Sequence, residues 1–300
     1  MATIHGILPV LATPFDRSGE VIEDELRALV RFMLDRGAHG LSAVGEASES
    51  PRLTREERMR LAEVVVEEAG SRVPVIVGVS APNARESALL GEHAASIGAA
   101  CVFLLPPPGA TTLDAFAAFR RVADACGIPL MLQDQQFPMS VAAIARLAAD
   151  EPRVRYVKEE VSAPAVATFK MSEIRAAAGE GLLLVGGRGG QAIVSELRRG
   201  AVASMPSCLG VPGLVRTYEA FARGDVAMAR AEAARNAPVL LMRAQYSQQI
   251  VKAYLHAIGV FSTDLMREPA GSRVDDVDLA ELLDAIERAE QSIPVEPTRT

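Results

Sequence analysis

Short apolar runs alternate along the chain with stretches whose hydrophobic positions recur every three or four residues. The runs occupy residues 6–14, 40–45, 73–79, 100–107, 128–134, 154–160, 181–187 and 201–206. Most are continuous rather than alternating, which is how strands buried on both faces read. Between them the spacing is helical, as in Leu26, Leu29, Val30 and Met33, or Leu61, Val65 and Ala69. Thr54 and Glu57 form a capping-box signature ahead of the second of these helices, and Asn83 and Glu86 open the next in the same way.

Eight strand–helix units in about 220 residues predict an α/β fold, the (β/α)8 TIM barrel, with the barrel domain over residues 1–223. Residues 211–223 close the eighth unit. Beyond it, residues 226–257 and 275–292 read as added helices, giving a C-terminal helical extension over 224–292. Residues 293–300 are punctuated by proline and are expected to fray. The alternative, a doubly wound open sheet, lacks its dinucleotide fingerprint. The glycines from Gly186 to Gly190 have the wrong spacing and come at the seventh run. That cluster reads first as a tight turn, with an anion cradle around Gly187 as the second reading.

Composition narrows the class. Charged residues make up 23% and hydrophobic residues 49%, the proportions of a folded globular protein. A net charge of −7 repels phosphate backbones, so no nucleic-acid partner is expected. No run approaches the ~18 apolar residues of a membrane span, and the chain does not open on a basic segment followed by an apolar one. Three scattered cysteines, Cys101, Cys126 and Cys208, suit a reducing compartment, and the expected location is the cytoplasm. Among the basic side chains every residue but three is arginine. The exceptions, Lys158, Lys170 and Lys252, each invite a reason.

A barrel carries its active site at the carboxyl ends of its strands. That rule selects Thr13 after the first strand, Glu46, Ser48 and Glu49 after the second, Gln133 and Asp134 at the fifth, Lys158 and Glu160 at the sixth, and Ser207 at the eighth. Lys158 stands out. Burial in the barrel mouth disfavours a charged amine, lowering its pKa from about 10.4, and a neutral amine attacks ketones to form a Schiff base. The competing reading pairs Lys158 with Glu159 or Glu160 as a structural ion pair. Strand alternation puts Glu160 on the same side as Lys158 and Glu159 on the other. Glu46, Glu49 and Asp134 are acid/base candidates that read equally well as solvated or salt-bridged carboxylates. The four histidines (His5, His39, His93 and His256) show no ligand spacing, so no metal is expected. Cys208 reads as a small core thiol, and no nucleophile elbow supports serine chemistry.

Longer motifs carry a resemblance. The stretch from Gly6 to Phe15 followed by Gly19, then 37–41, 53–58, 74–78, Gly98, 105–108 and Ile128, resembles the dihydrodipicolinate synthase / N-acetylneuraminate lyase family over residues 4–265. The resemblance implies a barrel with a helical extension, usually tetrameric. It also implies catalysis on a small 2-keto acid through an imine at Lys158, with no other cofactor. Where the family has two hydroxyl residues before Gly-Glu, this chain reads Gly45, Glu46, Ala47, Ser48, Glu49. Where the family has a proton-relaying tyrosine, it reads Gln133 and Asp134. The family's second-carboxylate arginine is missing from 135–140. Those departures disfavour dihydrodipicolinate synthesis. Ser48 with Glu49, Gln133 with Asp134, and Lys158 with Glu160 are instead similar to L-2-keto-3-deoxyarabonate dehydratases.

The expected protein is a Schiff-base lyase that dehydrates, or cleaves by retro-aldol reaction, a 2-keto-3-deoxy sugar acid. Lys158 forms the imine, and one of Glu160, Asp134 and Glu49 moves the proton. Thr13, Ser48, Gln133, Gly187 and Ser207 face the substrate. The alternatives are a pyruvate-dependent aldolase or condensing synthase, and a barrel that binds a keto acid without chemistry.

Overall fold

Eight parallel strands, β1 (Gly6–Ile7), β2 (Leu41–Ala43), β3 (Val75–Gly78), β4 (Cys101–Leu104), β5 (Leu130–Asp134), β6 (Val154–Glu159), β7 (Leu183–Gly186) and β8 (Ala201–Ser204), hydrogen-bond in the order β1-β8-β7-β6-β5-β4-β3-β2. A bridge between Val10 and Ser42, with Leu11 N–H donating to Ser42 O over 2.9 Å, brings the two ends together. The result is a (β/α)8 barrel. This is a computed structural model, and it describes residues 4–136, 138–161, 164–268 and 274–291. The expected frayed tail at 293–300 lies outside the described residues.

The helices α1 (Glu23–Asp35), α2 (Arg55–Ala69), α3 (Ala84–Ser96), α4 (Thr112–Cys126), α5 (Val141–Asp150), α6 (Pro164–Ala178), α7 (Ile193–Leu197) and α8 (Val211–Ala222) follow the strands in turn. Then come α9 (Val226–Tyr246), α10 (Gln248–Ala257) and α11 (Asp276–Glu290). None of the described helices is long and apolar enough to cross a membrane. Strand alternation splits the core in two. Leu8, Ile76, Phe103, Met131, Tyr156 and Val185 pack together inside the barrel. A larger set, including Leu41, Leu104, Leu132 and Leu184, packs between strands and helices.

Three local expectations change. The first run yields only a two-residue ladder because Pro9 has no N–H to give; Leu8 and Val10 still donate to Ser204 O and Pro206 O at 2.9 and 2.7 Å. At Asn83 half of a capping box forms: Asn83 Oδ1 accepts from Glu86 N–H at 3.0 Å, while the Glu86 carboxylate turns to the Arg55 guanidinium. The stretch 226–257 is two helices rather than one, broken at Ser247, whose φ of 56° is left-handed.

Candidate active site

A cleft of about 670 Å³ opens at the carboxyl ends of the strands. Lys158, Glu160, Gln133 and Ser207 all line it, as the sequence predicts. Lys158 projects inward from β6, one pleat beyond the buried Tyr156. Its Nζ lies 2.8 Å from Glu160 Oε2, and the lysine side chain is 5% exposed. Glu160 stands just past the end of β6, yet the alternation persists through it.

Glu160 is held from three sides. Its Oε2 also accepts from Gln133 Nε2 at 3.0 Å, and its Oε1 accepts the Arg188 backbone N–H at 3.0 Å. Burial disfavours its charge, but Lys158 and these donors outweigh burial and hold its carboxyl below the usual carboxylate range. Gly187 is the reason this side chain fits. A Cβ on Gly187 would lie 2.3 Å from Glu160 Cγ. Gly187 thus makes room for a carboxylate, a role the sequence did not assign to it.

The other predicted acids face elsewhere. Asp134 follows Gln133 in β5, so the pleat turns it outward, beside Glu159 of β6. Both carboxylates meet Lys170 of α6, which ion-pairs with Asp134 and lies 3.6 Å from Glu159. Burial, and next the Asp134 charge, push the Glu159 carboxyl up to about 8. Glu49 is drawn to the far side of the strand-two loop, where it ion-pairs with Lys252 of α10 at 2.5 Å, each side chain 1% exposed. Burial lowers the Lys252 amine to about 8. Asp134 and Glu49 therefore belong to ion pairs outside the cleft, not to its proton chemistry. All three lysines sit in acid–lysine pairs around the barrel mouth, but only Lys158 opens into the cleft.

Thr13 and Ser48 are corrected as well. Thr13 Oγ1 donates to Ser48 O at 2.6 Å, Ser48 Oγ donates to Leu11 O at 2.6 Å, and Ser48 Oγ accepts Gly45 N–H at 3.1 Å. Both hydroxyls give their protons to the backbone, bracing the loop after β2 instead of facing a substrate.

Sequence reasoning missed several groups. Glu196 of α7 is buried against Gly186, where a Cβ would lie 2.0 Å from its Oε2. Burial, then the Glu160 charge, raise its carboxyl to about 8. Successive glycines of the β7 end thus admit one glutamate on each face. Arg188 (φ 50°) and Arg243 of α9 line the cleft too. Arg188 follows directly from the glycine cluster, whereas nothing local marks Arg243, which arrives from a helix beyond the barrel. Among the described residues no three His, Cys, Asp or Glu side chains gather as a metal set.

The dihydrodipicolinate synthetase family model matches residues 3–288, nearly the whole chain. The chain belongs to that family. Among curated relatives, the 4-hydroxy-tetrahydrodipicolinate synthase of Acidiphilium cryptum is 38% identical over 161 residues, 52% of this chain and 55% of that protein. The enzyme of the same description from Rhizobium meliloti is 31% identical over 194 residues, 63% of this chain and 65% of its own. The matches thus span about half to two thirds of these relatives. Among solved structures, a putative dihydrodipicolinate synthetase from Pseudomonas aeruginosa superposes with a TM-score of 0.89 at 24% identity, covering 96% of this chain and 100% of that one. That likeness concerns the fold.

Proposed function

We propose that this member of the dihydrodipicolinate synthetase family is a Schiff-base-forming lyase for a 2-keto acid. The observation that carries the reading is the contact of Lys158 with Glu160, 2.8 Å apart in a polar cleft. Glu160 takes a proton from Lys158 Nζ, and the freed amine attacks the C2 carbonyl. The attacking nitrogen passes one proton to the former carbonyl oxygen, Glu160 returns the other, and the oxygen departs as water, leaving the iminium. The iminium draws electrons from C3, whose proton Glu160 accepts. The enamine expels the C4 hydroxyl, protonated by Glu160, as water, and hydrolysis releases the product from Lys158. No further cofactor enters.

The preferred substrate is a 2-keto-3-deoxy sugar acid such as L-2-keto-3-deoxyarabonate. Gln133, where the family has tyrosine, donates to Glu160 and so leaves Glu160 as the proton carrier. Across the cleft, Glu46 accepts from Gln135 and Gln136 at 2.9 and 3.0 Å, a polar wall suited to a hydroxylated tail. A condensing synthase is the second reading, favoured by what the relatives are called. A cytoplasmic homo-oligomer, tetramer or dimer, completes the proposal.

Borohydride reduction in the presence of pyruvate or L-2-keto-3-deoxyarabonate tests it. A mass increment at Lys158 is expected; its absence with every carbonyl compound leaves only a keto-acid-binding barrel. Loss of water from the sugar acid marks dehydration and release of pyruvate marks cleavage, while consumption of pyruvate with an aldehyde partner marks condensation.

A further inference from the structure

Arg243 sits in the last turn of α9, its carbonyl accepting the N–H of Ser247 at 2.9 Å where the chain breaks into α10. A helix C-terminus favours a cation there. Its guanidinium lines the same cleft as Lys158. Among the described residues it makes no side-chain hydrogen bond or ion pair, and its Nε is buried with no partner. It feels the charges of Glu160 and Glu46 across space, without touching either. A part-buried guanidinium whose Nε has no partner is costly, and its planar fork of donors matches a carboxylate.

The other cationic side chains near it are tethered. Arg188 Nε donates to Val161 O at 3.0 Å, and Arg52 lies 3.8 Å from Glu49. The hydroxyls after β1 and β2, Thr13 and Ser48, give their protons to Ser48 O and Leu11 O. Ala47 offers no donor in its side chain, and Glu46 repels an anion. Ser207 and Ser247 remain on the wall, but neither is charged.

We infer that Arg243 is the specificity-determining cation that receives the C1 carboxylate of the 2-keto acid whose C2 is joined to Lys158. The inference rests on the Schiff-base reading for the identity of the carboxylate, though not for its binding. The loop after β2, whose side-chain hydroxyls face inward, keeps only backbone N–H groups for that task, and a helix outside the barrel supplies the charge. Ketones without a carboxylate gain nothing from Arg243, so the residue selects for keto acids at the step before imine formation.

The test compares wild type with Arg243→Met and Arg243→Lys. Two ligands are read: oxamate, a pyruvate isostere that cannot form an imine, by calorimetry, and pyruvate against hydroxyacetone by borohydride trapping. Arg243→Met is expected to weaken oxamate and raise the half-saturating pyruvate concentration by about 10- to 100-fold, the usual reach of a charge-assisted pair. Hydroxyacetone trapping should stay unchanged, and Arg243→Lys should fall between. Equal oxamate affinity in wild type and folded Arg243→Met, with unchanged melting temperature, overturns the inference, as does a wild type that binds no oxamate. Arg243-dependent oxamate binding without any borohydride adduct upholds the carboxylate site while removing the Schiff-base reading.

Discussion

Lys158 Nζ and Glu160 Oε2 lie 2.8 Å apart, while Glu159 between them in sequence turns through the barrel wall to Lys170. Two adjacent glutamates thus have unrelated surroundings. Glu160→Gln is expected to slow turnover by about 10² to 10⁴, the usual loss for one general acid/base, yet still permit borohydride trapping at Lys158. Glu159→Gln should leave kcat nearly unchanged. Steady-state rates beside trapping yields check both; a larger rate loss from Glu159→Gln would sink the assignment.

Gly187→Ala should imitate the loss of Glu160 without removing it. The added methyl would fall 2.3 Å from Glu160 Cγ and push the carboxylate off Lys158. At Gly187 φ is −122°, outside the left-handed region that favours glycine, so the clash with Glu160 is the effect being tested. We expect kcat to drop about as far as in Glu160→Gln while the circular dichroism stays that of the wild type. Wild-type turnover would show that Glu160 can do its work from another position.

Lys252→Met leaves the buried Glu49 carboxylate with only the Arg267 N–H and the more distant Arg52 to face it. Breaking a buried pair in this way costs about 3–5 kcal/mol. A urea midpoint well below that of the wild type is expected, with much of the loss restored by adding Glu49→Gln. Equal midpoints for the single and double variants would show that the pair is not coupled.

Glu196 sets a pH dependence. Its carboxyl, raised from 4.5 to about 8, first by burial, keeps in the folded state a proton that the unfolded chain releases. The unfolded state therefore binds fewer protons, and stability falls as pH rises between 4.5 and about 8. Glu196→Gln should flatten that fall and stabilise the protein most at the alkaline end. Glu159 contributes a similar slope, so some decline persists. Urea melts across this range would reveal the difference; an unaltered slope excludes the protonated Glu196.

The barrel and Lys158 were legible because both follow from short-range rules: strands buried on two faces read as apolar runs, and the strand end names the lysine. Alternation correctly separated Glu160 from Glu159. The same rule applied at β5 separates Gln133 from Asp134, but choosing between those neighbours requires knowing which faces inward. The hydroxyls of Thr13 and Ser48 were visible as donors, whereas their acceptors, Ser48 O and Leu11 O, come from chain folding back on itself. Arg243 is further still. It reaches the cleft because two helices beyond the barrel return across its mouth, and no spacing within α9 announces that.

The scarcity of lysine has a consequence for the surface of the molecule. Lys158, Lys170 and Lys252 have side chains that are 5%, 13% and 1% exposed, and the last two are locked onto carboxylates away from the cleft. The outer positive charge of the side chains is thus carried by guanidinium groups, which do not acylate under conditions that modify amines. An electrophile directed at amines meets a shell with almost nothing to react with, and the side-chain amine it can reach by entering a cleft is Lys158. On the Schiff-base reading, acetylation of this protein would therefore register less as decoration of its exterior than as inactivation from within.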